Sequence, residues 1–231
     1  MPLENIRFRG DGAPATFQEV LSELKQRGCN LLLTGEVPAV VSDVATNRLL
    51  GAPFEDRKRV LALSGVSLER VSSRLPSGTG PGDRGVCVLV HRDDVRSAAV
   101  QSPESRAWME PAGPDLETFR AAICGAIERF DERSGGLAPA ELRLSVDSLA
   151  TLLADSPTAE VHSFLDGVAA TVDGVNGMGH YHLPLSDDSA LVRELTPHFS
   201  ARIELRQRGN AAPEQRWHVP AYDETTNWVR L

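Results

Sequence analysis

Lysine is nearly absent from this sequence. Of 24 basic residues only Lys25 and Lys58 are lysine, set against 32 acidic ones, for a formal net charge of −8 over 231 residues. An acid excess with so little lysine fits a salt-adapted or high-GC source. It also argues against broad nucleic-acid binding, which needs a basic surface to neutralise phosphates. The one dense basic run, Arg57-Lys58-Arg59, reads as a solvated turn. Long apolar runs are missing too. The opening MPLENIRFRGDG holds no apolar stretch suited to a signal peptide. No later segment approaches the roughly 20 apolar residues of a membrane helix, so a soluble, cytoplasmic protein with no membrane partner is expected. Cysteine is scarce: Cys29, Cys87 and Cys124 lie in apolar runs with no C-x-x-C pair, the pattern of buried free thiols. There is no G-x-S-x-G elbow, which disfavours a serine hydrolase, and no internal repeat or low-complexity segment.

What is present alternates between strand and helix. Residues 1–15 are polar and carry Gly10, Gly12 and Pro14, the composition of a flexible lead-in. Residues 16–231 then read as a single α/β domain. Thr16 with Glu19 forms a capping box for a helix presenting Phe17, Val20, Leu21 and Leu24 and closed by Gly28. Buried strands follow at Asn30–Thr34, Val60–Ser64, Val86–Val90 and Leu142–Asp147. Strands apolar on both faces belong in a parallel sheet covered by helices. Asp115 caps a helix with inner face Leu116, Phe119, Ile123, Ala126, Ile127 and Phe130, stopped by Gly135-Gly136. A helical turn is expected at Val95–Val100, a helix-like segment from Ser148 into Leu153, and a helix over Thr158–Val172. Residues 65–85 remain unassigned. The tail turns to strand at Gly179–Leu185, Ala201–Arg206 and Arg216–Val219, the last two forming a hairpin across Gln207-Arg208-Gly209-Asn210.

The stretch Cys29–Gly51 organises this pattern: strand, glycine turn at Gly35, then a helix to about Leu50. Strand, glycine turn and helix in that order form the phosphate-binding corner of many nucleotide-binding folds. Aligned on G-x-x-x-x-G-K-[ST], Gly35 and Ser42 fall in register, but the second glycine is Val40 and the lysine is Val41. A charge-assisted phosphate contact contributes roughly 1.5–3 kcal/mol, and Glu36 adds a repelling carboxylate beside the turn. Triphosphate binding should therefore be weaker by orders of magnitude, with Val40 and Val41 facing the core instead. Asp147, ending a mostly apolar strand, has the place of a Walker B magnesium ligand; as an alternative it caps the following helix.

His180 and His182 flank Tyr181 in a strand, so both imidazoles share a face. With His198, Asp187 and Asp188 a metal site can be drawn, but no ligand spacing is diagnostic and no metal is expected. Trp217 and Trp228 read as aromatics locking the closing hairpin to the sheet.

With GCNLLLTGEVP, LRLSVDSLATLL and the tail from GMGHYHLPLSDD through IELRQRGNAAPEQRWHVP to TTNWVRL in view, the chain resembles the KaiC/RecA-like ATPases, and within them an uncharacterised group from halophilic archaea. The resemblance implies a RecA/KaiC-like, mainly parallel central sheet flanked by helices, with a C-terminal antiparallel hairpin. Active relatives use the P-loop lysine, the Ser/Thr, a glutamate after the second strand and the Walker B aspartate. By position only Ser42 and Asp147 carry over; after the second strand stand Ser64-Gly65-Val66-Ser67 and only later Glu69. The expectation is a degenerate pseudo-ATPase whose vestigial nucleotide corner is Gly35, Ser42 and Asp147. It needs neither ATP nor magnesium and has no catalytic residue. It would act as a regulatory or scaffolding module through a protein partner, with homo-oligomerisation implied by the relatives. Two alternatives remain open: a working ATPase drawing its positive charge from Arg48 or a neighbouring subunit, and a DNA-associated regulator.

Overall fold

The apolar runs become the strands of one sheet. A computed structural model describes residues 7–8, 16–65, 70–91, 109–113 and 115–231. Strands β1 (Cys29–Thr34), β2 (Lys58–Leu63), β3 (Val86–Val90), β4 (Met109–Pro111), β5 (Leu142–Asp147), β6 (Met178–Leu183) and β7 (Ala201–Arg206) are parallel. β8 (Glu214–Val219) returns antiparallel to β7, and the short β9 (Glu224–Thr225) and β10 (Val229–Arg230) pair with β8. The order across the sheet is β10-β8-β7-β1-β6-β5-β2-β3-β4, with β9 off that path. This is a mixed α/β fold with a mainly parallel central sheet, flanking helices and a C-terminal antiparallel hairpin, as the alternating pattern required.

Helices cover both faces. On one lie α4 (Leu116–Ser134), α5 (Leu149–Asp155), α6 (Thr158–Gly174) and α7 (Ala190–Leu195), packed on Leu32, Val60, Ala62, Leu144, Val146 and Tyr181. On the other lie α1 (Phe17–Arg27) and α2 (Ala39–Leu49), against Leu31, Leu33, Ile203 and Trp217. The four-residue α3 (Val71–Arg74) shares that face, seated through Val71 and Leu75 on Leu61, Leu63, Val88 and Val90. Even and odd residues of each strand thus feed different cores, which is why the strands read as apolar throughout.

The expected caps form. Thr16 and Glu19 close their capping box, and Asp115 does the same with Thr118. The inner face read for α4 is buried as written. The expected turn at Val95–Val100 lies outside the described residues. So does most of 1–15, of which Arg7 and Phe8 are described: Phe8 bridges Thr226 and packs edge-on against Phe17 at 5.9 Å. Three features depart from expectation. α3 forms within the unassigned 65–85 stretch, and β2 starts at Lys58. Arg59 is buried instead of solvated, donating to the carbonyls of Leu50, Ala52 and Arg57. Arg57 and Lys58 are held by Glu55, Asp56 and Glu141. The basic run is spent on fixing the turn into β2.

Gly35 connects β1 to α2 at φ +116°, where an added Cβ would stand 2.1 Å from the Leu205 carbonyl oxygen of β7. Its N–H donates to the Leu185 carbonyl at 2.8 Å. Close backbone approach therefore accounts for glycine here without a ligand. Gly35→Ala should lower stability by on the order of 3 kcal/mol, combining strain at positive φ with backbone overlap. The midpoint of urea unfolding measures it.

Candidate functional site

The carboxyl ends of β1, β2, β5 and β6 share one edge of the sheet, and the corner read from the sequence lies there. Only four residues, 35–38, separate β1 from α2, and α2 begins at Ala39 with Pro38 as its cap. Val40 and Val41 therefore sit inside the first helical turn. Successive helical residues point about 100° apart, so both cannot face the core. Val41 is 3% exposed while Val40 is 65% exposed, which corrects the expectation that both are buried. Val41 and Ala45 point inward one turn apart; Val40 and Val44 point out. Ser42 is half-buried, and its hydroxyl makes no hydrogen bond among the described residues.

Asp43, one residue on, points inward and meets Asp147 through an arginine. The Arg74 guanidinium, 1% exposed, donates through Nε to Asp43 Oδ1 at 2.9 Å and through Nη2 to Asp147 Oδ2. Arg70 adds two donors to Asp43, at 2.7 and 3.1 Å, and the Ser73 hydroxyl a third at 3.1 Å. Burial pushes the Asp43 carboxyl up, but the Arg70 hydrogen bonds and the charges of Arg74 and Arg70 outweigh it and leave the group below its ordinary range. Burial raises the Asp147 carboxyl, and the Arg74 charge offsets part of that rise. The cation between the two carboxylates is thus supplied by the chain itself. A magnesium ion held by a Walker B aspartate would need the same space. Glu69 lies outside the described residues. Arg48 is at the far end of α2 and contributes nothing to this cluster.

Below the ion cluster the same sheet face stays polar. Ser145 pairs in register with His180, and Asp147 stands one pleat above, level with His182. All four are buried. The His182 Nε2 and the Thr46 hydroxyl of α2 lie 2.7 Å apart, and the two imidazoles pack edge to face at 5.6 Å. Burial, then the Arg74 charge, lowers His182 to about 3; burial and the neighbouring His182 push His180 down as well. The two histidines do share a face. The other drawn metal ligands lie elsewhere: His198 pairs with Asp166 at 2.7 Å, Asp187 with Arg202 at 2.8 Å, and Asp188 accepts from Ser186. Asp187, Glu204 and His218 do converge, but Arg202 and Arg216 already neutralise the two carboxylates.

Asp43, Arg70 and Arg74 were not singled out from the sequence. The available signal was the i, i+4 spacing of Arg70 and Arg74 and an aspartate on the same helical face as Thr46. Trp217 is buried against Phe17 as expected, whereas Trp228 is half-buried under two guanidiniums, Arg206 at 3.6 Å and Arg216 at 4.6 Å.

A family model described as "Family of unknown function (DUF7504)" matches residues 28–205, which include every member of the ion cluster. The chain belongs to this family. No curated protein matches it. Among solved structures, the uncharacterized protein PH0321 from Pyrococcus horikoshii, described as in complex with an unknown peptide, aligns with a TM-score of 0.57 at 11% identity. The alignment covers 90% of this chain and 97% of that one. At that identity the likeness is one of fold.

Removing one partner of a buried ion cluster leaves uncompensated charge, at a cost of about 3–5 kcal/mol. Arg74→Ala should lose that much, and millimolar Mg²⁺ should then raise the melting temperature of the variant while leaving the parent unmoved, because two carboxylates face a vacated cation position. Thermal melts with and without the metal check both. The histidines add a pH dependence. Folded His182 takes a proton near pH 3, an unfolded one near 6.5. Between those values the unfolded chain binds more protons, so stability falls as pH falls. Asp147, raised by burial, acts in the opposite sense, so the comparison is between variants. His182→Gln should flatten the decline between about pH 6 and pH 4.5 by roughly 1.4 kcal/mol per pH unit, read from urea unfolding.

Proposed function

We propose that this family member is a non-catalytic, RecA/KaiC-like module whose nucleotide corner is vestigial and which acts as a regulatory or scaffolding protein. One observation carries this reading: the Arg74 guanidinium lies between Asp43 and Asp147, where a nucleotide-bound metal would have to sit. The short 35–38 connection supports it, as does Gly35, whose N–H is turned to the Leu185 carbonyl. Among the described residues, the Gly35 N–H and the Asp147 carboxylate are thus already engaged, which leaves the Ser42 hydroxyl without its partners for ATP and magnesium. Surface features favour a protein partner. Val40 and Val44 form an exposed apolar pair on the outer face of α2, and Phe54 is 89% exposed on the turn beyond that helix. The similar archaeal structure, described with a bound peptide, fits a partner-binding role for this fold. A second copy of the chain is one such partner. The DNA-associated alternative gains no support from Arg57-Lys58-Arg59, whose charges are held within the protein.

The purified protein should show no ATP hydrolysis above background and no thermal shift with millimolar Mg-ATP. Turnover that Asp147→Asn abolishes would overturn the reading in favour of an active ATPase with a non-standard corner.

A further inference from the structure

Between α1, the end of α2 and the 51–57 turn, a pocket of about 460 Å³ runs over the sheet face from Arg143 and Met178 at its amino edge to Trp217 and Gln215 of β8. That size suits a small organic ligand. Its lining is out of keeping with an acidic protein. Among the described lining residues, Lys25, Arg48, Arg57 and Arg143 bring four cations against one carboxylate, Glu55, which Arg57 already holds at 3.1 Å. Leu231 also lines the pocket.

Arg143 is the unexplained group. It is 5% exposed, on the polar face of β5, and only Nη1 is engaged, with the Leu49 carbonyl at 3.3 Å and the Met178 sulfur. Its Nε is buried without a partner, and it forms no ion pair among the described residues. A buried, unpaired guanidinium is costly unless something neutralises it. Burial and the nearby Arg57 charge push Arg143 down to about 10, and desolvation with the Arg143 charge lowers Lys25. Trp217 presents a second orphan: 3% exposed, with a buried Nε1 that donates to nothing among the described residues. Leu21, Met178 and the indole supply apolar wall.

We propose that this pocket binds a small organic carboxylate with an apolar body, the carboxylate neutralising Arg143 and the body lying against Leu21, Met178 and Trp217. Lys25 and Arg48, both exposed, add positive charge at the opening. Arginine and carboxylate match in charge and fork geometry. A bare phosphate would leave the apolar wall uncovered. The pocket shares no residue with the Gly35–Asp147 corner, so this assignment and the proposed function can fail separately.

Octanoate and 3-phenylpropionate, with octanamide and 3-phenylpropanamide as uncharged controls, test it on the full chain. The readouts are the indole N–H resonance of Trp217, assigned with Trp217→Phe, and the melting temperature. The carboxylates should move that resonance and raise the melting temperature; the amides, inorganic phosphate and Mg-ATP should do neither. Arg143→Met should weaken octanoate binding roughly tenfold or more, the loss of a charge-assisted contact. Arg48→Ala, at an exposed position, should weaken it about two- to fivefold and serves if Arg143→Met fails to fold. Three outcomes overturn the assignment: an unmoved Trp217 resonance, an equal response to the amides or to inorganic phosphate, or undiminished octanoate binding by a folded Arg143→Met.

Discussion

One guanidinium joins three separate parts of this fold. Arg74 reaches from α3 to Asp43 on α2 and to Asp147 at the end of β5, with all three groups withdrawn from water. Each ion alone would be costly to bury, and the cluster is tolerable because every charge has a partner and Asp43 is saturated by Arg70 and Ser73 besides. The position of α2 over the sheet, the seating of α3 on β2 and β3, and the fate of the corner after β1 all follow from it.

Beneath that cluster the α2 face of the sheet carries an unusual column. Asp147 and His182, then Ser145 and His180, then Arg143 and Met178 succeed one another from the carboxyl to the amino edge. Apolar residues there would have been cheaper. Instead a chain of polar groups runs under α2, with Ser145 Oγ, His180 Nε2 and Arg143 Nε lacking partners among the described residues. The upper end is closed by charges of the chain's own. The lower end opens on a pocket lined by unmatched cations. The two ends of one helix thus present opposite electrostatic situations, one satisfied and one not.

The parts of this molecule that could be read from sequence are those set by local pattern. Apolar runs such as Leu31-Leu32-Leu33 and Val86–Val90 gave strands, and the spacing from Leu116 to Phe130 gave the inner face of α4. Thr16 and Asp115 placed helix starts within a residue. What escaped was set by distant contacts. α3 is four residues long with serines at its centre, and its anchors lie on β2, β3, α2 and β5. The pairing of Asp43 with Arg74 spans 31 residues, and that of Arg74 with Asp147 more than twice as many. α2 buries Asp43 and Thr46 while exposing Val40 and Val44, so its pattern gives no clear inner stripe. The mismatch to a phosphate loop was visible at Val40 and Val41. What occupies the corner was not, because Arg70 and Arg74 come from another segment. Nothing in the sequence sets Arg143 apart from an ordinary strand residue, because Met178 and the end of α2, which surround it, come from other segments.

The early start of α2 also limits what substitution can do at the corner after β1. Lysine at position 41 would restore the lettering of a phosphate loop, yet Val41 is 3% exposed and already part of the helix, so the new ammonium would enter the core beneath α2. Glycine at position 40 would loosen an exposed helical turn without lengthening the connection from Gly35. Building a phosphate cradle here requires inserting backbone between Gly35 and Ala39 and displacing Arg74 at the same time. Single substitutions at positions 40 and 41 therefore leave both obstacles, the short connection and the Arg74 cluster, in place.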